Sequence, residues 1–149
     1  MPLTWAEFSG HTGTEEDNVD DLNPVQEAVF LKALERSVPS RELTRFKDYI
    51  LYEAIHDENM LKHAMAKASH PHLVVAMHGD TKVGLVRAGT SYIIPEHRGF
   101  GLGPEMMVQL YLITTPELWK KFSADDRRTR FGLSMMRKTY KLLLDRGLL

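Results

Sequence analysis

Apolar positions recur at two different periods along this chain, and the change falls near residue 70. After Asn23-Pro24, the residues Val25, Val29, Leu31 and Leu34 follow at mostly three- and four-residue spacing, the interval that places side chains on one helix face. Asn23 is a good N-cap, and Pro24 suits the first helical position, where a missing N–H costs nothing. A helix is therefore predicted from there to about Val38, stopped by Pro39-Ser40. Leu43, Phe46, Tyr49, Ile50, Tyr52 and Ile55 keep helical spacing and predict a second helix opening at Ser40. A short third helix is expected over about Glu58 to Ser69.

Beyond it the pattern turns to strands. Pro71 to His78 is short and β-branched, Gly79-Asp80 is a turn signal, and Lys82 to Arg87 reads as the returning strand of a hairpin. Ser91 to Ile94 predicts a third strand. Met106, Met107, Leu110 and Tyr111 mark one face of a later helix, Pro116 ends that region, Glu117 to Phe122 reads as another strand, and Arg128 to Arg146 as a long last helix. Residues 1–22 read as an irregular acidic lead-in pinned by Trp5 and Phe8; the only stretch there able to form a strand is Leu3 to Phe8. The whole is expected to be one α+β domain, residues 1–149, with a mixed sheet flanked by helices.

Composition narrows the class. At 149 residues, 43% of them apolar and 26% charged, the chain matches an ordinary globular domain able to bury a core. It has no cysteine, so disulfides and thiol chemistry are excluded. No apolar run reaches the length of a membrane span and no signal pattern opens the chain, so a cytoplasmic protein without a membrane partner is expected. Charge is unevenly spread: Glu7, Glu15, Glu16, Asp17, Asp20, Asp21 and Glu27 precede the first lysine, whereas Lys120, Lys121, Arg127, Arg128, Arg130, Arg137, Lys138, Lys141 and Arg146 crowd the end. That basic end suits a solvated helix face, a nucleic acid or a phosphate. His56, His63 and His70 recur every seven residues and His70-x-His72 is strand-like, but neither pattern has zinc-ligand spacing, so no metal is expected.

The most specific stretch is Ile93-Ile94-Pro95-Glu96-His97-Arg98-Gly99-Phe100-Gly101-Leu102-Gly103-Pro104. Glycines at alternate positions let the backbone turn sharply and direct successive N–H groups into one concavity. The helix after them adds unpaired N–H groups and its positive dipole end, which together make a phosphate cradle. A plain strand-to-helix turn is the competing reading. No Gly-Lys-Ser/Thr of a P-loop is present, and the spacing is not the G-x-G-x-x-G of a dinucleotide fold.

Arg98-x-x-Gly101-x-Gly103, entered by an apolar strand and Pro95-Glu96, resembles the coenzyme A loop of the GNAT N-acetyltransferase superfamily. The resemblance covers roughly residues 72–146 and is specific at 91–104. It implies that Ser91, Tyr92 and Ile93 present backbone groups to the pantetheine arm of acetyl-CoA. It also implies that Arg98, Gly99, Phe100, Gly101, Leu102 and Gly103 bind the pyrophosphate, with Pro104 unable to donate. A tyrosine on the last helix is often the acid in this family, which here implies Tyr140 as the catalytic candidate. Glu53 and His56, on the predicted helix lining the acceptor groove, are candidate bases, and Glu96 lies beside the loop.

A GNAT domain also begins with a strand before its first helices and ends with a hairpin, for which this chain has no evident sequence. Either a homodimer that completes the site or a reduced domain is expected. The implied activity is acetyl transfer from coenzyme A to a small-molecule or protein amine. A non-catalytic coenzyme A-binding or interaction module is the alternative, and a nucleic-acid role for the basic end the weaker one.

Overall fold

A computed structural model describes residues 3–10, 24–56, 72–87, 90–124 and 130–149. The predicted helix over 58–69, His63 and His70 lie outside these residues. Helix α1 spans Trp5–Ser9 and α2 spans Pro24–Arg36. Strands β1 (Ser37–Phe46), β2 (Tyr49–His56), β3 (Leu73–His78), β4 (Thr81–Arg87) and β5 (Thr90–Ile93) follow. A 3-10 turn, Pro95–His97, leads to α3 (Leu102–Ile113), α4 (Pro116–Ala124) and α5 (Arg130–Asp145).

The five strands form one sheet in the order β1-β2-β3-β4-β5, each antiparallel to its neighbour. The class is α+β as expected, but the described sheet is antiparallel, not mixed. Its central strand β3 is buried on both faces. Val74 and Ala76 join the core beneath α3 and α5, while Leu73 and Val75 join Leu34, Leu85 and Tyr92 beneath α2. This alternation is the period of two that sorts strand side chains to opposite faces.

Four local predictions are corrected. Residues 40–55 are not a helix: they are most of β1 and β2, joined by a tight turn at Lys47-Asp48 that pairs Phe46 with Tyr49. Thr44, Tyr49, Ile50, Tyr52 and Ile55 are β-branched or aromatic, and such residues pack well on a pleated surface. The helical spacing of Leu43, Phe46, Tyr49, Tyr52 and Ile55 is incidental, because the register alternates Tyr49 and Leu51 into one core and Ala54 into the other. Glu117 to Phe122 lies in α4, not a strand; Thr115 accepts from the Leu118 N–H through its hydroxyl and opens the helix as an N-cap.

Leu3 to Phe8 is likewise helical at its centre. Thr4 and Glu7 form a reciprocal capping box, and Gly10 closes the short α1 in the left-handed region at φ 69°. The apolar stripe expected on α2 also faces differently: Val25 and Val29 are 74% and 61% exposed, and Phe30, Ala33 and Leu34 pack instead. Lys82 from β4 holds the end of α2, donating to the carbonyls of Glu35 (2.8 Å) and Ser37.

Helix α1 is bound to α4 by charge as well as by packing. Lys120 lies 2.8 Å from Glu7. That hydrogen bond, with those from Thr4, holds the Glu7 carboxyl below its ordinary 4.5, and the same contact lifts Lys120 above its ordinary 10.5. A depressed carboxyl contributes stability above its unfolded pKa and loses it as pH falls through the folded value. A raised ammonium contributes below its unfolded pKa and loses it as pH rises through the folded value. The pair therefore acts fully between about pH 4.5 and 10.5. Urea unfolding of Glu7→Gln beside the parent is expected to differ inside that window and to converge in strong acid; a constant difference at all pH values would refute the linkage.

Candidate anion-binding cleft at the glycine loop

Strand β5 ends the sheet, and its far edge pairs with no other strand among the described residues. The Ile94 N–H donates to the Val83 carbonyl at 2.9 Å. In an antiparallel ladder the backbone groups of alternate residues face the partner, so those of Tyr92 turn to β4 while those of Ser91 and Ile93 turn to the open edge. The chain then makes the 3-10 turn, in which the N–H groups of His97 and Arg98 donate to the carbonyls of Ile94 and Pro95.

From Gly99 the pattern changes. Among the described residues, the backbone N–H groups of Gly99, Phe100, Gly101, Leu102 and Gly103 donate to no protein acceptor. Gly99 and Gly101 have φ of 86° and 83°, the left-handed region where a Cβ is strained. Gly101 is the N-cap of α3, so Leu102 and Gly103 are its first two residues. Pro104 occupies the third position, which needs no N–H. The next donor, Glu105, reaches back to Gly101.

Gly103 serves packing. A Cβ there would lie 2.8 Å from the Met135 sulfur and 3.3 Å from the Ile93 side chain. The absence of that carbon lets α5 close against the start of α3. Between the loop and α5 lies a cleft of about 140 Å³, bordered by Ile93, His97, Arg98, Gly99, Gly101, Leu102, Gly103 and Pro104 on one side and Ser134, Met135 and Lys138 on the other. Ser134 and Lys138 stand one turn apart on α5, and Lys138 has no ion-pair partner among the described residues.

The individual site residues divide as follows. Gly99, Gly101, Leu102 and Gly103 come together with Ile93 around the cleft, while Phe100 lies beside it, half exposed at 51%. Arg98 also borders it, but its guanidinium is tied elsewhere: Nε donates to the Ile93 carbonyl at 2.7 Å, and a terminal nitrogen lies 3.5 Å from Glu27 of α2. The same group sits over the Tyr92 ring, 5.6 Å from its centre. Tyr92 itself is a core residue stacked on Phe30. Its side chain belongs to the α2 layer.

Tyr140 is not brought to the cleft. Its hydroxyl donates to the Leu3 carbonyl at 2.9 Å, and its ring packs on Trp5 and Phe8. Glu53 lies on β2, four residues past Tyr49 or about 13 Å along the strand, held by Arg41 at 2.7 Å and with His72 at 3.6 Å. The side chain of His56 lies outside what is described. Glu96 is exposed on the 3-10 turn.

Sequence reasoning missed a ring cluster at the base of the loop. The Tyr49 hydroxyl and His97 Nδ1 share a hydrogen bond of 2.8 Å, and the His78 ring centre lies 5.0 Å from that of His97. His97 stands immediately before Arg98, but its partners come from β2 and β3, and only the strand pairing joins them. Lys138 was visible only as one of many basic residues. Glu105, buried in the first turn of α3, is neutralised by a bidentate Arg146, whose guanidinium is held above its ordinary value by that hydrogen bond.

The fold and the cleft thus define an α+β protein with a glycine-rich strand–turn–helix at an open sheet edge. No family model, no curated protein and no solved structure matches the chain. Among the described residues no helix is long and apolar enough to cross a membrane, and no three metal-ligating side chains gather around one point.

Proposed function

We propose that this chain is a coenzyme A-dependent N-acyltransferase of the GNAT type, with the pyrophosphate of acetyl-CoA held by the loop from Gly99 to Gly103. The observation carrying this reading is the run of backbone N–H groups from Gly99 to Gly103 that find no acceptor among the described residues, turned by left-handed Gly99 and Gly101 beside a cleft. Backbone donors at a helix start suit a diphosphate because they face its oxygens without needing a lysine. The open edge of β5 supports it too: the outward groups of Ser91 and Ile93 stand beside the loop, where the family's pantetheine arm pairs.

Element order adds support. Read as this family, β3, β4 and β5 are the strands that lead into the loop, and α3 is the helix that follows it. One departure persists. The chain after α3 continues into α4, so the strand from which the family's loop strand splays has no counterpart among the described residues.

In such a transfer the acceptor nitrogen attacks the thioester carbonyl, the carbon–sulfur bond breaks, the nitrogen loses a proton to a base and the thiolate takes one. Most of the rate would come from juxtaposing the two substrates. A second reading, a non-catalytic coenzyme A-binding module, is favoured by the residues intended for the proton steps. Glu53 is paired with Arg41, and the Tyr140 hydroxyl is engaged by Leu3.

Calorimetric titration with acetyl-CoA tests the common core of both. Micromolar binding is expected, lost in Gly101→Val, where a branched side chain at φ 83° strains the loop at a cost of about 1–3 kcal/mol. Circular dichroism should show the variant still folded. Parent protein that binds no acetyl-CoA, or a variant that binds as well as the parent, would remove the assignment. Thiol release with a panel of amines then separates enzyme from binding module.

A further inference from the structure

The glycine loop is braced from the opposite end of the sheet by a residue whose sequence context is only a hairpin turn. Lys47, between β1 and β2, is the one non-glycine residue with positive φ among the described residues, at 53°. Its ammonium donates to the Phe100 carbonyl at 2.8 Å and lies 5.2 Å from the Phe46 ring centre. Phe46 stands in turn within ordinary contact of the place a Cβ on Gly101 would occupy, at 3.6 Å. The tip of the β1–β2 hairpin thus touches the loop at two successive residues.

We infer that Lys47 is a positioning residue for the anion cradle: by holding the Phe100 carbonyl, it fixes the direction of the Gly101 N–H. A trans peptide is planar, with its C=O and N–H pointing to opposite sides, and no peptide here is cis. The bond joining Phe100 to Gly101 therefore cannot turn its oxygen to Lys47 without turning the Gly101 hydrogen away from Lys47. That hydrogen has no acceptor among the described residues, and Gly101 borders the cleft. Glycine on the C-terminal side leaves this peptide free to flip, so an outside hold is what selects one orientation. Preorganised donors bind an anion more tightly because they need no reorientation on binding.

The inference rests on the proposed coenzyme A site, and its test separates the two. Lys47→Met keeps the length of the side chain and removes the donor; Lys47→Arg keeps a cation that can reach the same oxygen. Coenzyme A titration is combined with amide resonances of the loop, read with coenzyme A and separately with inorganic pyrophosphate. The parent should bind coenzyme A with a shift at Gly101. Lys47→Met should bind about tenfold more weakly, with the Gly101 response reduced more than that of Gly103, and Lys47→Arg should restore most of both.

Parent-like affinity and an undiminished Gly101 response in Lys47→Met overturn the positioning role while leaving the coenzyme A site intact. A parent that ignores coenzyme A but shows the Gly101 shift with pyrophosphate, lost in Lys47→Met, removes the acyltransferase reading and keeps the brace. A parent whose Gly101 amide responds to neither ligand overturns both.

Discussion

Phe8→Ala should destabilise the protein by about 3–5 kcal/mol, as large-to-small changes of buried aromatic residues do. The residue is fully buried, although it sits in a five-residue helix near the start of the chain. Its ring stacks on Trp119 with centres 5.1 Å apart, and Tyr140 and Tyr111 close the other sides at 5.2 and 5.8 Å. The Phe8 carbonyl also accepts from the Trp119 indole N–H at 2.9 Å. Removing the ring thus opens a cavity among three elements at once and loosens a buried hydrogen bond beside it. A melting temperature lower by about 10 °C is the expected reading for a domain of this size. A change of a degree or two would mean that α1 is only loosely seated.

The second large effect is expected at Gly103, and it differs in kind from that at Gly101. Valine at 103 must displace Met135 and Ile93, which approach the missing Cβ to 2.8 and 3.3 Å. Overpacking of this type costs about 1–3 kcal/mol, and relief would come from moving α5 off the start of α3. The cleft wall that carries Ser134 and Lys138 would move with it. Gly103→Val should therefore lose stability and ligand binding together, whereas Gly103→Ala asks the flexible Met135 thioether to yield and the Ile93 side chain to give by a few tenths of an ångström. Alanine also gains helix propensity, by about 1 kcal/mol, so its net stability change should be near zero. If valine proved as stable as the parent in urea titration, the packing role of Gly103 would be wrong. The contrast matters for any binding assay: only the change at 101 leaves α5 in place.

The parts of the fold that the sequence announced were those where one local signal dominated. Gly79-Asp80 between β-branched runs specified the β3–β4 hairpin, and the alternate glycines specified the strand–turn–helix at 99–103. The β1–β2 hairpin was hidden because its turn, Lys47-Asp48, contains neither glycine nor proline. Its apolar residues also happened to repeat at helical spacing, and no local rule arbitrates between the two periods in so short a run. Helix α4 was misread because Pro116 reads as the end of the preceding element, whereas with the Thr115 N-cap it is the first residue of a new helix.

The site divides along the same line. The sharp backbone turn at 99–103 was legible because glycine content speaks directly about φ. The ring cluster of Tyr49, His78 and His97, the brace from Lys47 and the committed hydroxyl of Tyr140 were not, because each depends on pairing between residues far apart in the chain. Tyr140 shows the difficulty well. Its place on the last helix could be read, but its partner, the Leu3 carbonyl, lies 137 positions away.

Arg98 also bears on the open edge of the sheet. A sheet edge with free N–H and C=O groups invites a strand from a neighbouring chain, and long bare edges lead to aggregation. The edge at β5 is only four residues long, and one of its outward carbonyls, that of Ile93, is already taken by the Arg98 side chain. Little ladder remains free there for an intruding strand. The arginine thus works as a gatekeeper of the edge, occupying one of the carbonyls that an added strand would need.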